Sequence, residues 1–239
     1  MIVVVGLPAY TADSKGEGTA SGLAVDVARA ALARNAQVQL VGKVGDDGAG
    51  DAVVVSLGRM GIGHAALLRD PARPTPVLAR IESQSSTYLD PAGLADEDSG
   101  TAGSSGGTGD SGDESATDRV LPEDASGRPG LDAADVSLAL SYVSGAKVVV
   151  VAETLSAAAL AGVAEGAAFS NAAVVAVVPS GGDAPGLSPE ATILEAPSVD
   201  DGSFARLVGI YAAELDAGKD AASAFGAAIG SSGWEIAEA

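Results

Sequence analysis

The chain of 239 residues contains no cysteine, a single histidine and few aromatic side chains. Without cysteine it cannot form a disulfide, a thiolate metal site or a cysteine nucleophile. His64 alone is a poor basis for zinc binding, and a hydrolytic triad would depend on this one base. Aromatic residues make up 3% of the chain and hydrophobic residues 47%, so alanine, valine, leucine and isoleucine must build the core. No metal site is expected from this composition.

Positive charge is also scarce. The chain has 13 lysines and arginines against 32 aspartates and glutamates, which gives a formal net charge of -19. This charge repels nucleic-acid phosphates and anionic membranes, so neither is expected as a partner. The mean hydropathy of +0.28 favours a folded chain over a disordered one. An acidic folded protein is typical of a salt-accumulating halophile, where molar salt screens charges beyond about 3 Å.

Long apolar runs are absent as well. The sequence has no stretch of about 18 apolar residues, the length that a membrane helix needs. Its first residues lack the basic and apolar regions of a signal peptide. We therefore expect a soluble, cytoplasmic protein.

Short apolar strands alternate with helical segments along the rest of the chain. Buried strands are predicted at residues 2–5, 147–151 and 173–178, because each contains a short valine-rich run, and turn residues follow the first and the last. Other strands are predicted at 37–41, 76–81 and 192–194, and helices at 22–33, 52–60, 132–143, 156–169, 203–215 and 221–229. Asn35 fits the cap that ends the first helix, and Asp132 the cap that begins the third. The alternation predicts a layered α/β fold with right-handed crossovers.

Residues 90–130 differ from the rest in composition. Glycine, serine and aspartate dominate this segment, and it has almost nothing to bury, so disorder is predicted. We interpret it as a surface insertion within one domain that spans residues 1–239. The alternative is a linker between two α/β halves.

A turn, a helix, a strand and a second turn follow one another at residues 22–61. Gly22 opens the helix, Asp26 lies within it, and the second turn is Val44–Asp47 followed by Gly50. This order resembles the first signature region of the PfkB or ribokinase family of carbohydrate and nucleoside kinases, in which asparagine is usual where Asp26 stands. The resemblance, to a short member of haloarchaeal type, implies a ribokinase-like three-layer α/β/α fold with a mainly parallel central sheet and a small β lid.

The resemblance also implies substrate-binding residues. They are Gly22, Asp26, Glu153 after the strand that follows the lid, and Asp13 as the carboxylate nearest to the first-strand position that grips sugar hydroxyls. A carboxylate outside the carboxyl ends of parallel strands is well placed to accept hydrogen bonds from a ligand hydroxyl. The alternative for Glu153 is a solvated residue that starts a loop.

The second signature of the family, Asp-Thr-x-Gly-Ala-Gly-Asp before a helix, is degenerate in this chain. In the family its glycines cradle the transferring phosphate and its last aspartate takes the proton from the attacking hydroxyl. An alignment on Phe204 places Gly202 at the position of the base, so Asp201 or Asp200 is the substitute. A rival alignment of residues 196–201 with an earlier region leaves the whole catalytic end absent.

Two functions therefore stay open. One is an ATP-dependent kinase that uses ATP and Mg²⁺ to phosphorylate a sugar or nucleoside hydroxyl. The other is a kinase-fold protein without phosphotransfer that binds a small ligand or a protein partner. The turn Asp46–Asp47 could hold Mg²⁺, yet turn aspartates more often bond to their own backbone. Because lid strands in the family often pair between subunits, a homodimer through the lid is also expected.

Overall fold

The computed structural model describes residues 1–12, 18–78, 127–198 and 201–232. Its strands are β1 (Ile2–Val5), β2 (Ala9–Ala12), β3 (Gly18–Ser21), β4 (Val38–Gly45), β5 (Gly63–Asp70), β6 (Val77–Leu78), β7 (Val148–Val151), β8 (Ala173–Pro179) and β9 (Thr192–Ala196). Its helices are α1 (Leu23–Leu32), α2 (Gly48–Met60), α3 (Ala133–Ser141), α4 (Ala157–Ser170), α5 (Ser203–Asp216) and α6 (Ala221–Ser232). The predicted insertion at 90–130 lies outside the described residues, apart from 127–130. None of the described helices combines the length and apolar character needed to span a bilayer.

The described part of the chain forms a six-stranded central sheet in the order β5-β4-β1-β7-β8-β9. All five pairings are parallel. β1 lies inside the sheet, with Ile2 beside Val38 on one side and Val148 on the other. Parallel strands need helices on both faces, which explains the unbroken valine runs of β1 and β7. The predicted parallel sheet is confirmed.

Successive residues of β1 enter two different cores. Ile2 and Val4 pack in one cluster with residues of α1, α2, α5 and α6. Val3 and Val5 pack in a second cluster with residues of α3 and α4. Because side chains alternate between the two faces of a strand, the clusters lie on opposite sides of the sheet. The result is the three-layer α/β/α arrangement.

Both predicted helix caps are present. The carboxylate of Asp132 accepts the backbone N–H of Asp135, and the carboxylate of Asp135 accepts that of Asp132, so this capping box confirms the predicted start of α3. Asn35 follows the last residues of α1 in the left-handed conformation, at φ 63°. Its N–H donates to the carbonyl of Leu32, and the N–H of Ala36 donates to that of Ala31, which is the hydrogen-bond pattern of a Schellman cap, so the predicted end of the first helix is also confirmed.

A second, three-stranded sheet has the order β3-β2-β6. It contains the predicted strand at 76–81 as β6, whereas β2 and β3 were not expected. The sheet is held by α2 at two points. Ser56 Oγ accepts the backbone N–H of Ala20 at 2.8 Å. At the start of the helix, the carboxylate of Asp47 accepts the N–H of Thr75 at 2.8 Å and its hydroxyl at 2.7 Å.

A cluster of charged groups lies near the end of α5. Glu214 accepts from Arg34 at 2.5 Å and pairs with Lys219 at 2.7 Å, and its side chain is 9% exposed. The hydrogen bonds from Lys219 and Arg34 hold the pKa of Glu214 below its ordinary value of 4.5. The ionised carboxylate therefore stabilises the fold.

We expect Glu214→Gln to lower the free energy of unfolding at neutral pH by about 1–2 kcal/mol, because it replaces two charge-assisted hydrogen bonds. A depressed folded-state pKa means that this stabilisation is complete above about 4.5 and is lost as the pH falls through the folded value. Urea titrations of both proteins at several pH values measure the difference. Glu190→Gln, an exposed substitution, is the control. A difference that stays constant down to acidic pH would contradict the assignment.

Candidate functional site

The topology of the central sheet creates a crevice between β1 and β7. From β1 the chain passes through the small sheet and α1 to β4, on the face that carries α5. From β7 it passes through α4 on the opposite face to β8. After the carboxyl ends of β1 and β7, the chain therefore continues in opposite directions, toward β4 on one side and toward β8 on the other. In open α/β sheets, ligands bind in the crevice at such a switch point.

Glu153 lies in this crevice, two residues after the end of β7. Burial raises the pKa of Glu153 above its ordinary value of 4.5. The positive charge of Arg128 and hydrogen bonds from the backbone N–H groups of Leu7 and Thr154 act in the opposite direction. Leu7 follows β1, so the carboxylate links the two strand ends. The carboxylate is therefore desolvated and only partly compensated, which makes added hydrogen-bond donors favourable.

Gly22 lies on the other side of Leu7. Its backbone has φ 101° and ψ 165°, a conformation that residues other than glycine rarely adopt. A Cβ atom at Gly22 would lie 3.6 Å from the carbonyl oxygen of Leu7 and 3.9 Å from the nitrogen of Ala9. The structure thus brings two predicted site residues, Gly22 and Glu153, to the same short segment after β1.

The other predicted substrate-binding residues have different positions. Asp26 lies one turn into α1, half-buried, with its carboxylate 3.5 Å from Arg29 in an ion pair. Asp13 lies outside the described residues. The crevice also continues into a cavity of about 20 Å³ that Glu153, Thr154 and Asp183 line, enough for about one water molecule. This cavity is too small for a sugar.

In the turn at Asp46–Asp47, the side chain of Asp47 binds backbone N–H groups. In addition to its hydrogen bonds with Thr75, the carboxylate of Asp47 accepts the backbone N–H of Gly50 at 2.7 Å, so Asp47 is the N-cap of α2. Burial tends to raise the pKa of Asp47, but the hydrogen bonds from Thr75 and Gly50 outweigh it, and the pKa is lowered. In the described ranges, no group of three or more histidine, aspartate or glutamate side chains is placed to hold a metal ion.

The start of α5 carries the candidate bases. Asp201 Oδ1 accepts the backbone N–H of Ser203 at 2.9 Å, and Gly202 between them has φ 90°. The hydrogen bonds from Ser203 lower the pKa of Asp201. The carboxylate of Asp201 therefore already accepts one of the backbone N–H groups at the start of α5. Asp200 lies outside the described residues.

His64 lies away from the crevice, at the second residue of β5. Because the sheet is parallel, this is the amino edge, opposite the ends of β1 and β7. Its Nδ1 lies 3.0 Å from the carbonyl oxygen of Ile62, a local backbone contact. This placement offers no chemistry at the crevice.

Solved structures with this arrangement of sheet and helices include three kinases. They are a candidate phosphofructokinase from Staphylococcus aureus, a ribokinase from Arabidopsis thaliana with ribose and ATP, and a candidate ribokinase II from E. coli with ATP and Mg²⁺. The fold is ribokinase-like. The TM-scores are 0.59, 0.54 and 0.55 at 12%, 13% and 12% sequence identity, respectively. The alignments cover 98%, 97% and 95% of this chain and 90%, 90% and 89% of the others. No family model and no curated protein matches the sequence.

At Asp47 and at the start of α5, the described residues do not fit the Mg²⁺ and the phosphate of the ATP complex that the ribokinase-like fold implies. A phosphate at a helix start needs free backbone N–H groups, and at α5 the negative carboxylate of Asp201 takes the one of Ser203. Mg²⁺ needs carboxylate oxygens, and those of Asp47 are engaged by Thr75 and Gly50. Repulsion between Asp201 and a phosphate would add to the mismatch.

Several residues at the site could not be identified from the sequence. Leu7 acts through its backbone N–H, which leaves no signature in the residue type. Arg128 belongs to the segment predicted to be disordered, and Thr75 and Ser56 are ordinary polar residues in a turn and a helix. One signal was available for Leu7, since the crevice rule applies to the end of β1 as it does to the end of β7.

Proposed function

We propose that this ribokinase-like chain binds the hydroxyl groups of a sugar or nucleoside at the crevice between β1 and β7, and that it does not transfer phosphate. The observation that carries the proposal is the position of Glu153. Its carboxylate is desolvated at the switch point, beside Leu7 and Gly22. Hydroxyl donors from a ligand would satisfy this carboxylate, and hydrogen bonds to a charged group are about twice as strong as neutral ones.

The start of α5 supports the absence of phosphotransfer. A phosphate cradle presents backbone N–H groups to an anion, whereas here Asp201 presents a carboxylate to the backbone. The lowered pKa of Asp201 also makes it a weak proton acceptor for general base catalysis. In an alignment on Phe204, Gly202 stands at the position where the ribokinase family has its catalytic base.

An ATP-dependent sugar or nucleoside kinase is the second candidate. It is favoured by the fold, because the similar solved structures are sugar kinases and two of them contain ATP. In that case Asp201 or Asp200 would take the proton from the substrate hydroxyl. ATP and Mg²⁺ would then be cofactors of this chain as well.

The setting of the activity is part of the proposal. We propose one domain over residues 1–239, with the segment at 90–130 as a surface insertion. The charge of -19 supports a protein adapted to a salt-rich cytoplasm, since high salt screens the repulsion between carboxylates. Experiments therefore belong in molar KCl.

Thermal unfolding with a panel of pentoses, hexoses, hexose phosphates and nucleosides tests the binding. At a ligand concentration of 100 times Kd, binding adds about 2.7 kcal/mol to the free energy of unfolding. For a chain of this size, each kcal/mol raises Tm by about 2–4 °C. We expect a shift with at least one ligand in the absence of ATP, and no ADP release when ATP and Mg²⁺ are added.

The outcomes separate the two candidates. ADP release that depends on a sugar or nucleoside, and that Asp201→Asn abolishes, would establish the kinase and contradict the proposal. Binding without ADP release supports it. No shift with any member of the panel would contradict the choice of sugar and nucleoside ligands.

A further inference from the structure

The exposed apolar side chains of the described residues are unevenly distributed. Seven large hydrophobic side chains are exposed, and the two most exposed are Phe169 at 94% and Tyr142 at 66%. Both lie with Leu138 on one outer surface, which we call the α3–α4 face and define as residues 137–145 together with the exposed side of α4. Aromatic residues are only 3% of this chain, so a phenylalanine left almost wholly in water is a costly arrangement.

The same face contains a groove of about 740 Å³ between α3 and α4, lined by Leu140, Val143, Gly162 and Gly166, with Phe169 at its rim. The glycines allow the two helices to pack closely. A Cβ atom at Gly166 would lie 2.7 Å from Leu140 Cδ1. The face thus has a protruding aromatic ring beside a hollow that is large enough to take one.

Charge is nearly absent from the α3–α4 face. Within residues 137–145 and α4, Glu165 is the only charged residue, although charged residues are 19% of the whole chain. The neighbouring Asp135 is paired with Lys43 from β4. A basic partner would need several carboxylates on this face to bind its positive charges. The face has only Glu165, so a basic partner is not expected.

We propose that the α3–α4 face is the surface through which two copies of this chain form a symmetric dimer. Two chains of charge -19 repel each other wherever their carboxylates meet. Contact through this face brings only the two Glu165 side chains into the interface. The charge pattern therefore favours a second copy as the partner.

The face is complementary in shape to a second copy of itself related by a two-fold axis. In such an interface the same patch serves both copies, so each Phe169 can enter the groove of the other copy. Exposed alanines on α4 at positions 157, 158, 161 and 168 give a smooth surface on which the partner helix can pack. Phe169 is then the aromatic anchor at the centre, the kind of residue that dominates interface energetics.

Sedimentation of the full chain in molar KCl tests the proposal. We expect the wild type to sediment as two chains of 23.1 kDa. Phe169→Asp should raise the dissociation constant at least about thirtyfold, because an anchor residue is removed from both halves of the interface. Since Phe169 is almost fully exposed in one chain, the variant should fold normally. Val55→Asp, a matched change of an exposed apolar residue on α2, should leave the dimer intact.

Cross-linking locates the surface independently, because the chain has no cysteine of its own. Ser141→Cys lies on the α3–α4 face, and Val77→Cys lies on β6 of the small sheet. With a short bis-maleimide, we expect a covalent dimer from Ser141→Cys and none from Val77→Cys.

Each other result overturns the proposal. A dimer that Phe169→Asp leaves intact excludes the α3–α4 face as the interface, and a dimer that Val77→Cys cross-links assigns the interface to the small sheet instead. Equal loss of the dimer in Val55→Asp shows an effect that is not specific to the face. A wild-type monomer at all concentrations excludes the dimer.

Discussion

Gly209→Ala is expected to lower the free energy of unfolding by about 2–3 kcal/mol, a large effect for one methyl group. Gly209 lies where α5 crosses α1. A Cβ atom there would lie 2.5 Å from Ala30 Cβ, 2.5 Å from the carbonyl oxygen of Val27 and 3.0 Å from the nitrogen of Ala31. Two of these are backbone atoms that no rotamer change can move, so the helices must separate. Thermal unfolding should show a decrease in Tm of about 4–12 °C.

The same substitution elsewhere provides the control. Gly226 lies on the exposed side of α6, and its Cβ would have no neighbour within 4 Å. Gly226→Ala should therefore raise the free energy of unfolding by about 0.5–1 kcal/mol, because alanine loses less backbone entropy in a helix. Opposite signs for the two variants support the helix crossing. Equal effects would contradict it.

Glu153→Gln is expected to weaken binding at the crevice while it makes the ligand-free protein more stable. Glutamine keeps an oxygen that can accept the N–H of Leu7. Because it is uncharged, its burial does not carry the desolvation cost of a carboxylate. Loss of a charged acceptor should raise Kd for a hydroxyl ligand about ten- to hundredfold. A gain in stability together with a loss of binding is the mark of a residue kept for function.

The pH dependence of this gain has a definite sign. Burial raises the pKa of Glu153 above 4.5, so the folded protein holds its proton to higher pH than the unfolded chain. The wild type therefore loses stability as the pH rises from about 4.5 through the raised value, and Glu153→Gln does not. Urea titrations across this range measure the difference. Glu195→Gln, exposed on β9, is the control, and a loss of stability in Glu153→Gln at neutral pH would contradict a desolvated carboxylate.

The central sheet could be predicted because its signals are local. The valine run of β7 and the apolar run of β8 each identify a strand without reference to the rest of the chain, and Asp132 marks a helix start through its own hydrogen bond. By contrast, β2 and β3 contain mainly small and polar residues. β3 is held by Ser56 and β2 pairs with β6, so their placement depends on residues far along the chain, which no local pattern reveals.

The candidate site was only partly predictable for a similar reason. Glu153 could be placed because it follows a strand whose end is clear, and the structure puts it in the crevice. Its desolvation depends on Leu7 and Arg128, which come from distant parts of the chain. The capping role of Asp201 requires the backbone geometry of Gly202 and Ser203. The chemistry of both carboxylates is thus set by neighbours in space, which residue type alone does not specify.

The attachment of the small sheet to α2 has a consequence for how the crevice can open. Ser56 binds β3 and Asp47 binds Thr75, two residues before β6, so the helix is attached near both outer strands of the sheet. A hinge that moved the sheet alone would break both sets of hydrogen bonds. We therefore expect the sheet and α2 to move together if the crevice widens.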